Sequence, residues 1–185
     1  FIVITRFFNK KMIKNYNYDK RIYVKPNAYS SINNNFELKD QDLSINFVFT
    51  GIISKRHNIT TIINSIIEVA KKMKEIKINF DIVGPGSENI KLERELPENL
   101  SLIVHEPKDK KHLEDFFNEK QIDFGFALYT NNSRNNICGI SPVKIYTYLN
   151  HGIIPLTTVI GREMKRIKDK FNILEVEFPI EENIK

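Results

Sequence analysis

The run Gly139-Ile140-Ser141-Pro142-Val143-Lys144-Ile145-Tyr146-Thr147-Tyr148-Leu149-Asn150-His151-Gly152 has the residue types of an anion site at the start of a helix. Ser141 is a good N-cap, Pro142 suits the first helical position because its missing N–H is not needed there, and Gly152 fits the left-handed position that ends a helix. A helix start offers unpaired N–H groups and partial positive charge, which suits phosphate. Lys144 in the first turn opposes the helix dipole, a cost that makes sense if an anion sits there. The same spacing fits an ordinary capped helix with a solvated lysine.

Three other short segments belong with it. Gly51-Ile52-Ile53-Ser54-Lys55-Arg56-His57-Asn58 lies between a strand pattern and a helix pattern, and Arg56 has the rigid donor fork that matches a diphosphate, with Lys55 beside it. Gly84-Pro85-Gly86-Ser87 closes another strand with a backbone that a ligand can approach closely. His105-Glu106-Pro107 ends a third. The Gly84–Gly86 segment is neither GxGxxG nor a P-loop. Taken singly, each is also an ordinary surface turn. Gathered on one sheet edge they would line a cleft for an anionic ligand. The four histidines, 57, 105, 112 and 151, have no metal-ligand spacing. Cys138 lies in a loop without an activating base and reads as an inert thiol. The sequons at Asn58 and Asn131 read as chance matches.

The elements that must position these residues alternate in type. Strand patterns fall at 2–5, 21–24, 45–50, 78–83, 100–105, 122–128, 153–157 and 173–178, and helical patterns at 59–74, 109–120, 142–151 and 161–170. Ile59, Ile62, Ile63, Ile66, Ile67, Ala70 and Met73 make the first of those helices amphipathic. The expected fold class is α/β, a Rossmann-like parallel sheet of about six strands with helices on both faces. In such sheets ligands bind beyond the C-terminal strand ends, where all four segments fall. Residues 30–44 are polar, with three consecutive asparagines, and read as a linker. Residues 1–29 read as the tail of a preceding domain, packed outside the main sheet, and 45–185 as the ligand-binding domain.

The chain's 185 residues suffice for one domain with a fragment of another, at ~150 residues per domain. With 41% hydrophobic and 28% charged residues, it is neither collagen-like nor disordered. A single cysteine excludes a disulfide framework, and no apolar run reaches the ~20 residues of a membrane helix. The expectation is a cytoplasmic-type protein. Ile (29), Asn (21) and Lys (21) dominate while Arg is scarce (7), so the net charge of +5 partly reflects compositional skew. It still favours anionic partners, and the scattered basic residues argue against nucleic acid.

The order of motifs resembles the C-terminal, donor-binding domain of GT-B glycosyltransferases of the family-four (group 1) type. The resembling segments are Val24-Lys25-Pro26-Asn27, Phe49-Thr50-Gly51 with Lys55-Arg56, Phe80-Asp81-Ile82-Val83-Gly84-Pro85-Gly86, Pro97-Glu98-Asn99-Leu100, Ile122-Asp123-Phe124-Gly125, and Ser141-Pro142-Val143-Lys144-Ile145 with Tyr148 and Gly152, continuing into Ile153-Ile154-Pro155. The resemblance implies one half of a GT-B fold that binds a nucleotide-diphosphate sugar. Arg56 and Lys55 would contact the diphosphate, Lys144 and the Ser141 helix start would hold its other side, and Gly84–Gly86 with His105–Pro107 would flank the base or ribose. It further implies a retaining, metal-independent transferase without a cofactor, acting in surface polysaccharide biosynthesis. Its acceptor would be a glycan or lipid-linked, bound through another domain at the inner face of the membrane. The family usually carries glutamate where this chain has Thr147, and a second acid where it has Gly139. That departure keeps open a non-catalytic GT-B partner subunit, and the fold alone keeps open a nucleotide-sugar epimerase.

Overall fold

The computed structural model describes residues 2–3, 23–24 and 43–176, apart from 55, 56, 58, 91, 93, 94, 107, 108, 130–142, 159, 160 and 172. Two short strands, β1 (Ile2–Val3) and β2 (Tyr23–Val24), pair in parallel as a sheet of their own. The main sheet holds β3 (Ser44–Thr50), β4 (Lys77–Val83), β5 (Leu100–His105), β6 (Phe124–Ala127), β7 (Ile154–Thr157) and β8 (Leu174–Glu175). All pairings are parallel, in the order β5-β4-β3-β6-β7-β8. Counted from β3, this is the 3-2-1-4-5-6 order of doubly wound sheets, whose direction of winding reverses between β3 and β6.

Helix α1 (Ile59–Lys72) connects β3 to β4, and its buried residues Ile59, Ile62, Ile63, Ile66, Ile67 and Ala70 repeat at three- and four-residue steps. They pack on Phe49, Ile78, Phe80 and Ile82, the residues that strand alternation sends to one face of the sheet. The C-terminal end of α1 is held by the Asn99 side-chain amide, which donates to the carbonyls of Ala70, Met73 and Ile76 at 3.1, 3.0 and 2.9 Å. That contact ties the turn before β5 to the helix. Helices α2 (Lys110–Glu119), α3 (Val143–Asn150) and α4 (Gly161–Lys168) supply the other cluster, through Phe117, Ile145, Tyr148, Met164 and Ile167 around Val48, Val83 and Ala127. Asp109 caps α2 by accepting the His112 backbone N–H at 2.9 Å, which holds its carboxyl below the usual aspartate range. The described helices include none long and apolar enough to cross a membrane.

Two departures from the expected pattern have local causes. A strand over 122–128 narrows to 124–127, and at its start the Asp123 carboxylate, in place of a main-chain carbonyl, takes the Asn46 backbone N–H at 2.7 Å and the Asn46 side-chain amide at 3.2 Å. The Asp123 backbone N–H still donates to Asn46 O at 2.9 Å, so the two strands stay joined one residue before their first paired row. The α2–α4 side of the sheet is also unevenly covered. Over β4 and β5 it presents Lys77, Asn79 and Asp81, then Ser101, Ile103 and His105, where a fully covered parallel sheet would be apolar.

Candidate functional site

The loops after β3 and β4 continue the sheet beyond its last rows. The Gly51 N–H donates to Val83 O at 2.9 Å, Ile53 N–H to Pro85 O at 2.8 Å, and Gly84 N–H to His105 O at 2.9 Å. This close run explains the glycines. A Cβ on Gly84 would lie 2.0 Å from Gly51 O, and one on Gly86 2.5 Å from Ile53 O, and both residues have positive φ, 153° and 103°. The Gly84-Pro85-Gly86 backbone is therefore shaped first by its neighbour loop. The Asn89 side chain, in the short 3-10 helix Ser87–Asn89, adds a bond to Ile53 O at 3.1 Å. His57 folds the first loop back on itself, its Nδ1 meeting Ile52 O at 2.7 Å and its ring lying 5.6 Å from that of Phe49.

Lys144 occupies the centre of this edge. It springs from the first turn of α3, whose buried residues belong to one face of the sheet. Its Nζ lies 4.2 Å from the centroid of Phe49, a residue of the opposite face, so the side chain crosses the strand ends at β3. A Cβ on Gly51 would stand 3.5 Å from the same nitrogen. The ammonium is shut off from solvent and has no hydrogen-bond partner among the described residues. Burial alone pulls its pKa down to about 8. An ammonium stripped of water and without a counter-charge is expensive, and among the described residues the Phe49 ring is what compensates it.

Beside it, Tyr148 fastens the reversal point of the sheet. It is fully buried, its hydroxyl accepts the Thr50 backbone N–H at 3.0 Å, and it donates to Phe126 O at 3.1 Å. The hydroxyl thus joins β3 to β6 just past their last paired row, Phe49↔Phe126. Burial raises its pKa to about 12, against the opposing pull of the Thr50 hydrogen bonds. Gly125 makes room, since a Cβ there would stand 2.5 Å from the tyrosine ring. His151 secures the other end of α3, with Nδ1 2.8 Å from Thr147 O, Nε2 3.1 Å from Glu114 Oε2 on α2, and its ring stacked on Phe117. Gly152 follows at φ 70°, the left-handed residue expected there.

Of the residues proposed from sequence, Gly51, Gly84 and Lys144 meet on this edge, with Pro85 and Gly86 in the adjoining loop. His105 turns toward the β4 side, its Nε2 2.5 Å from Asp81 Oδ1 and its ring 5.1 Å from Phe116. Thr147 turns its hydroxyl back to Val143 O at 3.3 Å. Lys55, Arg56, Pro107, Ser141 and Pro142, together with Gly139 and Cys138, lie outside the described residues. Phe49 was not among the sequence candidates. A phenylalanine in a strand reads only as core, and nothing local reveals that a lysine 95 residues later covers its ring.

The fold and this edge define a doubly wound α/β domain with a cationic residue at its topological switch point. No protein-family model and no curated protein sequence matches the chain.

Proposed function

We propose that the domain binds a nucleoside diphosphate at the β3–β6 switch point and serves as the donor half of a glycosyltransferase of the GT-B type. The observation that carries this reading is the Lys144 ammonium, enclosed at the strand ends and the first turn of α3 without a hydrogen-bond partner among the described residues. A diphosphate there would meet a fixed cation and the N-terminal end of α3, where a helix dipole favours negative charge. In sugar transfer the bond from the anomeric carbon to the diphosphate oxygen breaks and one to the acceptor hydroxyl forms, while that hydroxyl loses its proton. The departing diphosphate gains negative charge, and a preorganised cation stabilises it more than it stabilises the intact donor. The resemblance assigns Arg56 the other side of the diphosphate and implies that no metal is needed. The transferase reading includes a nucleotide-sugar donor, a glycan or lipid-linked acceptor and work at the cytoplasmic face of a membrane.

One observation favours a second reading. The Thr147 hydroxyl stands where the family has a ribose-binding glutamate, and it is engaged with Val143 O. A domain that binds nucleotide without turning it over would tolerate that loss.

Calorimetric titration with UDP, GDP and ADP tests the binding step. Each charge-assisted contact is worth roughly 1.5–3 kcal/mol, so Lys144→Ala and Arg56→Ala should each weaken binding about ten- to a hundredfold. Lys72→Ala, on the exposed side of α1, should leave it unchanged. Equal affinity in all four proteins would refute the diphosphate site. Binding without sugar transfer by the protein joined to an acceptor domain would favour the second reading.

A further inference from the structure

The uneven face of the sheet encloses a second feature, remote from the strand ends. A cavity of about 350 Å³ opens between the first halves of β3, β4 and β5 and the end of α2. Its floor is a polar row in strict register, with Asn46 opposite Asn79 and Asn79 opposite Ser101. Asn79 gives one amide hydrogen to Asn46 Oδ1 at 2.7 Å, and Asn46 is fixed in turn by Asp123. The row is therefore held rigid from one end. Ser44, Ser101 and Gln121 line the space with side chains that make no hydrogen bond among the described residues.

The chemistry of the walls narrows the occupant. Asp81 and Glu119 both line the cavity, and Lys120 is already committed to Asp81 Oδ1 at 3.4 Å, so an anion would be repelled. No group of three metal-ligating side chains occurs among the described residues. The Phe80 ring belongs to the α1 side of the sheet, which leaves no aromatic plate for a flat base. What remains is a set of amide and hydroxyl groups, with the Asn46–Asn79 pair held in place, beside one apolar surface, Ile103, which is 45% exposed. Paired donors and acceptors next to a small apolar patch match the hydroxyls and C–H face of a sugar ring, and the volume lies within the range of small-ligand sites.

We propose that this cavity is a binding site for a neutral saccharide, separate from the strand-end site. Amide NMR spectra of the 185-residue protein, titrated with glucose, galactose, N-acetylglucosamine and lactose, test it. Concentrations should reach roughly 50 mM, enough to saturate a site of millimolar affinity. At least one sugar should shift the Asn79, Ser101 and Ile103 signals along a saturating curve. Ser101→Tyr, which fills the cavity, and Gln121→Trp, which closes its rim from a loop, should each remove those shifts in proteins that melt normally. The shifts should also persist when UDP is saturating, which separates this site from the diphosphate site whether or not UDP binds. Absence of the shifts with every sugar would overturn the proposal. So would unchanged binding by either folded variant, or displacement of the sugar by UDP.

Discussion

Lys144 combines an energetic liability with a binding opportunity. Its ammonium is buried over Phe49 with no hydrogen-bond partner among the described residues, and burial draws its pKa from 10.5 to about 8. Between those values the unfolded chain holds a proton that the ligand-free folded chain has released, so stability should rise with pH from about 8 to 10.5. At ~1.4 kcal/mol per pKa unit, the penalty below that window is at most roughly 3–4 kcal/mol. Lys144→Met should therefore raise the melting temperature of the ligand-free protein at pH 7 and flatten its rise toward pH 9.5. Thermal melts of the two proteins across that range check this, and a Met variant less stable at pH 7 would contradict it. Diphosphate binding should follow the opposite trend, weakening above about pH 8 as the site loses its proton. The position of the lysine was legible in the sequence, because a cation in the first turn of a helix is out of place there. Its burial was not, since the covering ring comes from β3.

At the scale of elements, glycines and polar side chains set how strands and helices meet. Gly84→Ala would bring a Cβ to 2.0 Å from Gly51 O at φ 153°, where backbone cannot give way cheaply. Its cost should exceed the ~1 kcal/mol typical of point mutants by several fold. Tyr148→Phe would strand the Thr50 N–H and Phe126 carbonyl in the core, at about 1–3 kcal/mol each if left unpaired. Asn99→Ala should cost about 1–2 kcal/mol by uncapping the C-terminal end of α1. Denaturant titration ranks the three, with Gly84→Ala expected to be the most damaging. The helices and strands themselves could be read from apolar periodicity, to within a few residues at each end. The pairing of Gly125 with Tyr148 could not, although a glycine inside a strand pattern is a signal of close approach. Sequence also assigned His105 to the cleft from its place at a strand end, whereas its side chain is turned to Asp81. Strand position fixes where a residue starts, but partners on neighbouring strands decide where its side chain goes.

Across the whole molecule, β3 is both the first strand of the main sheet and its centre, paired with β4 over seven rows and with β6 over three. Native-state hydrogen exchange should accordingly be slowest in β3 and β4 and fast in the two-residue edge strand β8. Faster exchange in β3 than in β8 would contradict the central placement. The strand order also matters while the chain is being made. A nascent chain leaving the ribosome completes β3, α1, β4 and β5 before β6 exists, and at ~5–20 residues per second that interval is roughly 4–15 s. Throughout it, the β3 edge that will receive β6 has its backbone groups unpaired, and the Phe47 ring lacks the two rings, Phe124 and Phe126, that later stack on it at 5.6 Å. The half-made sheet is thus an open template for any passing strand. Arrival of β6 and of Tyr148, whose hydroxyl bridges Thr50 and Phe126, closes that edge of β3 and moves the open edge outward to β6, where it stays until β7 pairs.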